Sequence, residues 1–355
     1  MTNFLLAGGG TAGHVNPLLA LADQIKSDSP TDQVWALGTK EGLESTLVPA
    51  RGYELLTIAR LPFPRRLGSY AFGFVPKLLR AIKQVENIIT DKKIDVVVGF
   101  GGYASAPAYL AARRLGVPVV VHEANALPGW ANKLGAKRAA AVGVVFKSTP
   151  IKGAVTVGMP LRREIEAIAE FRDKRAAREH FGLDPDSVTI LVTGGSLGAK
   201  RINETLDQSR HLLAAAGIQV LHIVGGKSDL DEVSEAGYVR LKYCDRMDLA
   251  ISASDFAISR AGASTVSEFM AVGLPAAYIP YPVGNGEQRF NVEGLVAAGG
   301  SVLVEDAQFT PEYVASEVIP MVSNTKLLRA MAEKAKAFGI ADGSSRLLSL
   351  IRGVL

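Results

Sequence analysis

The stretch Leu5-Leu-Ala-Gly-Gly-Gly-Thr-Ala-Gly-His14 places glycines at 8, 10 and 13, the spacing G-x-G-x-x-G, directly after a short apolar run. Glycines at a strand-to-helix turn let backbone N–H groups approach an anion, and the helix dipole favours negative charge there. The same dipole disfavours an imidazolium, so His14 in the first helical turn is expected to be neutral and able to accept a proton. The competing reading of His14 is a residue that only packs the turn. A dinucleotide site needs an acid at the tip of the second strand to hold ribose hydroxyls. That strand ends Ala36-Leu37-Gly38-Thr39, and Glu41 comes later. The G-K-[ST] ending of a phosphate-loop NTPase is also absent.

Two further stretches carry related chemistry. Thr193-Gly-Gly-Ser-Leu-Gly198 combines small residues with the Ser196 hydroxyl before a helix from Lys200. Ser259-Arg-Ala-Gly-Ala-Ser-Thr-Val-Ser-Glu268 follows an apolar strand and sets Glu268 one turn after Ser264 and Thr265. A carboxylate accepts two hydrogen bonds and donates none, which suits a pair of ribose hydroxyls. An acid stabilised by the helix dipole is the alternative. Gly284-Asn-Gly-Glu-Gln-Arg-Phe-Asn291 is a glycine turn with sugar-binding side chains such as Gln288.

The elements that must hold these loops read as strands at Asn3–Ala7, Gln33–Leu37, Ile94–Val98, Val117–Val121 and Ala139–Val145, alternating with helical spacing such as Asn16–Lys26. The pattern restarts at Val188–Val192 and continues through Ile218–Val224, Phe256–Ser259 and Ala276–Ile279. Continuous apolar strands alternating with helices predict parallel sheets covered on both faces. The expected fold class is therefore α/β, with two Rossmann-like doubly wound domains facing a cleft. The boundary is expected near Gly158-Met159-Pro160, before a charged helix Arg162–His180. This gives domains 1–158 and 159–340, with a terminal helix at about 341–355 that can pack back on the first.

The chain has 355 residues, 48% hydrophobic and 21% charged, enough for two full cores. Cys244 is the only cysteine, so no intrachain disulfide exists and a reducing compartment is favoured. No basic n-region precedes Phe4-Leu5-Leu6, and no run of about 18 apolar residues occurs, so neither a signal peptide nor a membrane span is expected. The net charge of +4 fits a phosphorylated substrate, nucleic acid or an anionic membrane without choosing among them.

Gly9-Gly-Thr-Ala-Gly-His14, Gly99-Phe-Gly-Gly-Tyr103, His122-Glu-Ala-Asn125, Gly194-Gly-Ser-Leu-Gly-Ala199 and Arg260-Ala-Gly-Ala-Ser-Thr-Val-Ser-Glu268 occur in this order. Together they resemble the MurG family of bacterial N-acetylglucosaminyltransferases, over nearly the whole chain. The resemblance implies the GT-B fold. It implies inverting transfer of GlcNAc from UDP-GlcNAc to the 4-hydroxyl of MurNAc in undecaprenyl-pyrophosphoryl-MurNAc-pentapeptide, lipid I to lipid II. Donor contacts would fall on Thr11, Ala12, Gly13, Asn125, Arg162, Ser196, the backbone near Cys244, Ala263, Ser264, Thr265, Val266, Ser267, Glu268 and Gln288. Glu268 would hold the ribose, Gln288 the sugar, and Ser196 and Arg162 the diphosphate or its neighbourhood. His14 is the candidate base, and Tyr103 and Glu123 are acceptor-side candidates. Ala12, Ala124, Met159, Leu197 and Glu287 depart from the commoner pattern, mainly at side chains. The rival readings are another UDP-sugar GT-B glycolipid transferase, an epimerase, a non-catalytic sugar-nucleotide binder, and, from another class, a dinucleotide-dependent oxidoreductase.

No cofactor and no metal are expected. Asp184-Pro-Asp186 precedes a strand, at the end of the sheet away from ligand loops, and reads as a turn. Asp229 and Asp231 are read as starting a helix. The stretch from Arg60 to Lys83 mixes Phe72, Phe74, Arg65 and Arg66, and no acid occurs between Glu54 and Glu86. A second basic stretch, Lys133, Lys137, Arg138, Lys147 and Lys152, has no acid between Glu123 and Glu164. Such stretches suit an anionic lipid surface, or else are a solvated face with Leu78, Leu79 and Ile82 as helix core. With a lipid-linked acceptor, the expectation is peripheral binding on the cytoplasmic side of the cell membrane through the first domain, and no nucleic-acid partner.

Overall fold

The computed structural model describes residues 1–62, 69–195, 198–282 and 286–355, with 69–72 described by their backbone alone. The chain divides into two compact units: Met1–Arg162 with Asp342–Leu355, and Arg163–Ala341.

The first unit is built on seven strands: β1 (Asn3–Ala7), β2 (Gln33–Gly38), β3 (Glu54–Thr57), β4 (Val96–Gly99), β5 (Val119–Glu123), β6 (Ala141–Val144) and β7 (Val155–Thr156). Their order is β3-β2-β1-β4-β5-β6-β7, and every pairing is parallel. Leu5, Leu6, Val96, Val97, Val98, Val120 and Val121 have no exposed surface. A strand buried on both faces must be apolar throughout, which is why these runs do not alternate. Helices α1 (Ala12–Asp28), α2 (Glu44–Ala50), α3 (Ser69–Asp91), α4 (Ser105–Arg114) and α5 (Trp130–Ala136) connect the strands. The terminal helix Gly343–Arg352 packs Leu347, Leu348 and Ile351 into one core with Leu18, Leu21 and Ile25 of α1. Each such buried side chain contributes roughly 1.5–3 kcal/mol.

The second unit repeats the plan with β8 (Thr189–Thr193), β9 (Gln219–Ile223), β10 (Val233–Glu235), β11 (Tyr238–Leu241), β12 (Phe256–Ser259), β13 (Ala276–Tyr278) and β14 (Val302–Leu303). The order is β10-β11-β9-β8-β12-β13-β14, parallel except for the antiparallel β10–β11 edge.

Two local expectations are corrected. Asp229 and Asp231 do not start a helix; they precede β10, which turns at Ala236-Gly237 into β11, with Gly237 at φ 76°. The helix expected over Arg162–His180 is two helices, Arg163–Glu170 and Lys174–His180. The break is fixed by Asp173, whose side chain accepts from Ala176 N at 3.0 Å and so caps the second helix. The short edge strands β3, β7 and β14 lie outside the long apolar runs and carry no such signal of their own.

Candidate functional site

In an open parallel sheet, ligands bind beyond the strand C-termini where the strand order reverses. In the first unit that point lies between β1 and β4, and in the second between β8 and β12. The glycine loops singled out from the sequence follow these four strands.

In the first unit, Thr11 is the N-cap of α1 with extended backbone, φ −132° and ψ 158°, and its carbonyl accepts from His14 N and Val15 N. Thr11 is exposed, while Ala12, Gly13 and His14 are half-buried at the helix start. His14 Nδ1 lies 3.0 Å from Gly9 O and 3.4 Å from Thr11 Oγ1. A carbonyl oxygen can only accept, so Nδ1 carries a proton in this bond, and Nε2 is the nitrogen left to exchange a proton with a ligand. Nε2 faces the loop after β4: a Cβ built on Gly101 would stand 3.1 Å from it. Gly101 and Gly102 have φ of 95° and 81°, backbone that favours glycine. A Cβ on Gly102 would overlap Gly9 O, so the two loops lie back to back. Ser105 Oγ fixes that contact by accepting from Gly101 N at 3.0 Å while lying 2.9 Å from Ala7 O.

Tyr103 is half-buried beside this pair of loops. The Arg60 guanidinium lies over its ring at 4.9 Å and donates to its hydroxyl at 3.4 Å. Arg60 therefore borders the candidate site, a place its basic-aromatic sequence context did not indicate.

Glu123 is buried, and its oxygens accept from Asn125 N (2.9 Å), Gly129 N (2.9 Å) and Asn132 Nδ2 (3.0 Å). These bonds shape the loop that carries half-buried Asn125. As an acceptor-side candidate, Glu123 is thus reduced to holding that loop. Its neighbour His122 is enclosed, with Nε2 3.0 Å from Gly158 O. Burial lowers its pKa to about 4 against the smaller opposing effect of the Gly158 bond. Arg162 is half-buried at the end of the first unit's long segment.

An acid does reach the tip of the second strand: Glu44, on α2. Its carboxylate is buried and bonded to Gly10 N (2.7 Å), Thr39 N (2.8 Å) and Thr39 Oγ1 (2.8 Å). It grips the opening loop instead of presenting itself to a ribose, which leaves the main requirement of the dinucleotide reading unmet.

In the second unit, the loop after β8 is tight. A Cβ on Gly194 would overlap Ala199 N, and one on Gly198, at φ 79°, would overlap Val224 O. Ser196 and Leu197 lie outside the described residues. Asn203, on the helix Lys200–Gln208, donates to Val224 O at 2.9 Å and accepts from His222 Nε2 at 3.1 Å, anchoring this corner.

The helix Ala263–Val272 starts beyond β12 with Gly262 as a cap that supplies no side-chain bond. Its first turn contains no acid. Ser264, Thr265 and Glu268 are half-buried, whereas Ala263, Val266 and Ser267 are buried. Thr265 and Glu268 can offer side chains to a ligand, Ala263 and Val266 only backbone, and the hydroxyls of Ser264 and Ser267 are both buried without a hydrogen-bond partner among the described residues. Ser264 and Glu268 are four apart and share a helix face. Arg260, missed as a site residue, latches the loop: it donates to Ile279 O and Pro280 O at 3.1 Å each and to Asp306 Oδ1 at 2.6 Å. Gln288 Oε1 accepts from Tyr281 N at 3.0 Å, which turns its amide NH2 away from that bond. Gly284 and Asn285 of the adjoining turn lie outside the described residues, and Cys244 is buried.

Asp184 accepts from Asp186 N (2.9 Å) and Ser187 Oγ (2.6 Å), a turn ahead of β8. Among the described residues no cluster of three His, Cys, Asp or Glu is placed to hold a metal ion.

Of the basic stretches, Arg65, Arg66 and the Phe72 side chain lie outside what the structure describes. Phe74 is 9% exposed and belongs to the inward face of α3, with Ile82; the exposed apolar residues are Val75 at 57% and Leu79 at 48%. Lys77, Arg80 and Lys83 share the exposed part of α3, and Lys133, Lys137, Arg138, Lys147 and Lys152 are exposed as well. No helix among the described residues is long and apolar enough to cross a membrane.

Residues 4–144 match the glycosyltransferase family 28 N-terminal domain and residues 189–347 the glycosyltransferase family 28 C-terminal domain. The chain is 56% identical over 353 residues to a UDP-N-acetylglucosamine–N-acetylmuramyl-(pentapeptide) pyrophosphoryl-undecaprenol N-acetylglucosamine transferase of Clavibacter sepedonicus, covering 99% of this chain and 96% of that one. A protein of the same description from Streptomyces coelicolor is 48% identical, covering 98% and 96%. Among solved structures, MurG of Acinetobacter baumannii superposes with a TM-score of 0.81 at 28% identity, covering 99% of this chain and 100% of that one. A UDP-GlcNAc 2-epimerase from Neisseria meningitidis, at 13% identity and a TM-score of 0.69 with 99% and 100% coverage, shares the fold.

Proposed function

This chain belongs to glycosyltransferase family 28, as an N-acetylglucosaminyltransferase of the lipid I to lipid II step, and from that premise we propose how its residues divide the work. The donor is UDP-GlcNAc and the acceptor the 4-hydroxyl of MurNAc on a lipid-linked pyrophosphoryl pentapeptide. The acceptor oxygen attacks C1 of GlcNAc as the bond from C1 to the diphosphate oxygen breaks, inverting the anomeric centre. The acceptor proton passes to Nε2 of His14, and UDP leaves.

The observation that carries this assignment is the hydrogen bond from His14 Nδ1–H to Gly9 O, which leaves Nε2 as the acceptor facing the loop after β4. A base must present a lone pair in the right direction before its pKa matters. On the donor side, Glu268 accepts from the ribose hydroxyls, and Ser264 and Thr265 lie on the same helix start. The NH2 group of Gln288 donates to the sugar. Ser196, Arg162 and the helix N-termini after β8 and β12 receive the charge that develops on the diphosphate. Thr11, Ala12, Gly13 and Asn125 are the first unit's ligand contacts. Tyr103, with Arg60 stacked on it, lies on the acceptor side.

The acceptor's lipid tail requires work at a membrane. We assign membrane contact, on the cytoplasmic side, to the exposed α3 face of Val75, Leu79, Lys77, Arg80 and Lys83. Apolar side chains there can enter the interface while the cations meet anionic headgroups.

The reaction is tested by offering labelled UDP-GlcNAc and UDP-glucose with a short-chain lipid I analogue. Transfer from UDP-GlcNAc alone is the expected result. Tight donor binding without transfer would overturn the acceptor assignment.

A further inference from the structure

The carbonyl of Gly9 and the N–H of Gly10 belong to one peptide unit. A trans peptide is planar, and its C=O and N–H point in opposite directions. Here the N–H donates to Glu44 Oε2 at 2.7 Å, and the C=O accepts from His14 Nδ1 at 3.0 Å. The three groups form a relay: carboxylate, peptide, imidazole. We propose that Glu44 is a positioning residue for His14, acting through the Gly9–Gly10 peptide as an orienting carboxylate acts directly on a catalytic histidine. The proposal rests on the reading of His14 as the base.

The carboxylate's two oxygens divide their tasks. Oε1 accepts from both Thr39 N and Thr39 Oγ1, which suffices to tie α2 to the end of β2. Oε2 goes to Gly10 N. A merely structural acid would need only the first pair. The pocket is cut for this group: a Cβ on Gly9, Gly38 or Gly42 would overlap the Glu44 side chain. Burial favours the protonated acid, but the donors, Gly10 N–H first among them, outweigh it and hold the carboxyl below the usual range. Glu44 is therefore ionised at neutral pH.

The consequences for His14 follow from polarisation along a hydrogen-bonded chain. A peptide N–H that donates to a carboxylate leaves its carbonyl oxygen richer in charge and a better acceptor. A stronger Gly9 O holds the proton on Nδ1, fixes the ring plane and keeps the Nε2 lone pair toward Gly101. Other charged or titratable groups in the loops at this end of the sheet include Lys40, Glu41, Arg60 and Tyr103, with His122 and Glu123 at the end of β5; Arg60 bonds Tyr103 and Glu123 its own loop. No sequence motif announces Glu44, because its contact with Gly10 spans 34 residues.

The test reads the His14 tautomer directly, by two-bond 1H–15N correlation on the full-length protein. The wild-type ring is expected to carry its proton on Nδ1 with Nε2 bare. Glu44→Gln replaces one acceptor oxygen by an NH2 that must oppose either Thr39 or Gly10. It is expected to mix the tautomers and to lower kcat on the order of tenfold to a hundredfold, with UDP-GlcNAc affinity unchanged. A wild-type proton on Nε2 would overturn the proposal, and so would a folded Glu44→Gln protein that keeps both the tautomer and kcat. Should that variant fail to fold, the wild-type spectrum decides. Full turnover by His14→Ala would instead remove the base reading, and the tautomer spectra would then decide alone whether Glu44 orients the ring.

Discussion

Gly101 faces Nε2 of His14 without a side chain: one added methyl carbon would stand 3.1 Å from that nitrogen. The space beside Nε2 is thus kept open by a glycine whose φ of 95° no other residue adopts easily. Gly101→Ala is expected to occupy the place the acceptor hydroxyl needs and to strain the loop. Transfer should fall by at least an order of magnitude while UDP-GlcNAc affinity, which is assigned to other residues, Glu268 and Gln288 among them, stays near wild type. Titration of the variant with UDP-GlcNAc beside a transfer assay separates the two; equal loss of both contradicts the placement.

Glu268 shares a helix face with Ser264 and is partly open to solvent, unlike buried Val266 and Ser267. Removing a carboxylate that holds the ribose in ground and transition states alike should raise KM for UDP-GlcNAc with little change in kcat. The loss of one or two hydrogen bonds to a charged group, about 1.5–3 kcal/mol each, corresponds to a tenfold or larger rise. Steady-state kinetics of Glu268→Ala check this, and a kcat defect at unchanged KM would reassign the residue.

Legibility in the sequence differs from residue to residue. The glycine loops and the strands before them are legible, because apolar runs and small residues act locally. Glu44 is not, since its role depends on a fold that brings residue 44 beneath residue 10. The basic-aromatic stretch reads as one surface in sequence, yet folding turns Phe74 inward on α3 and sets Arg60 on Tyr103. The composition of a helix does not say which residues face out; its packing does. Asp229 and Asp231 mislead because acids before an apolar residue resemble a helix start, while the Gly237 turn that follows specifies a hairpin.

For the membrane, the exposed residues of α3 give the sharper test. Replacing Val75 and Leu79 with serine, or Lys77, Arg80 and Lys83 with glutamate, is expected to weaken binding to vesicles containing anionic lipid. Each cation near such a surface contributes about 1 kcal/mol, and that part should fade as salt rises. Unchanged vesicle co-sedimentation for both variants would remove α3 as the contact.

Two buried histidines set an acid limit on stability. Burial lowers the pKa of His122 to about 4, and burial with Arg240 nearby lowers that of His222 to about 3, from an ordinary 6.5. Below pH 6.5 the unfolded chain takes up protons these rings refuse, so stability rises with pH through this window. Their contribution is complete above 6.5 and is lost as pH falls toward each folded value, on the order of 3 to 5 kcal/mol apiece. The apparent Tm should therefore drop between pH 6.5 and 4. His222→Gln should flatten part of that slope, and a slope identical to wild type would contradict the neutral, enclosed state of His222.

One comparison decides whether His14 takes the acceptor proton without holding the donor. Wild type and His14→Ala are assayed for GlcNAc transfer to a lipid I analogue, alongside UDP-GlcNAc binding measured without acceptor. Loss of a general base predicts a fall in kcat on the order of a hundredfold to ten-thousandfold with donor affinity preserved. Undiminished kcat in His14→Ala would contradict the account.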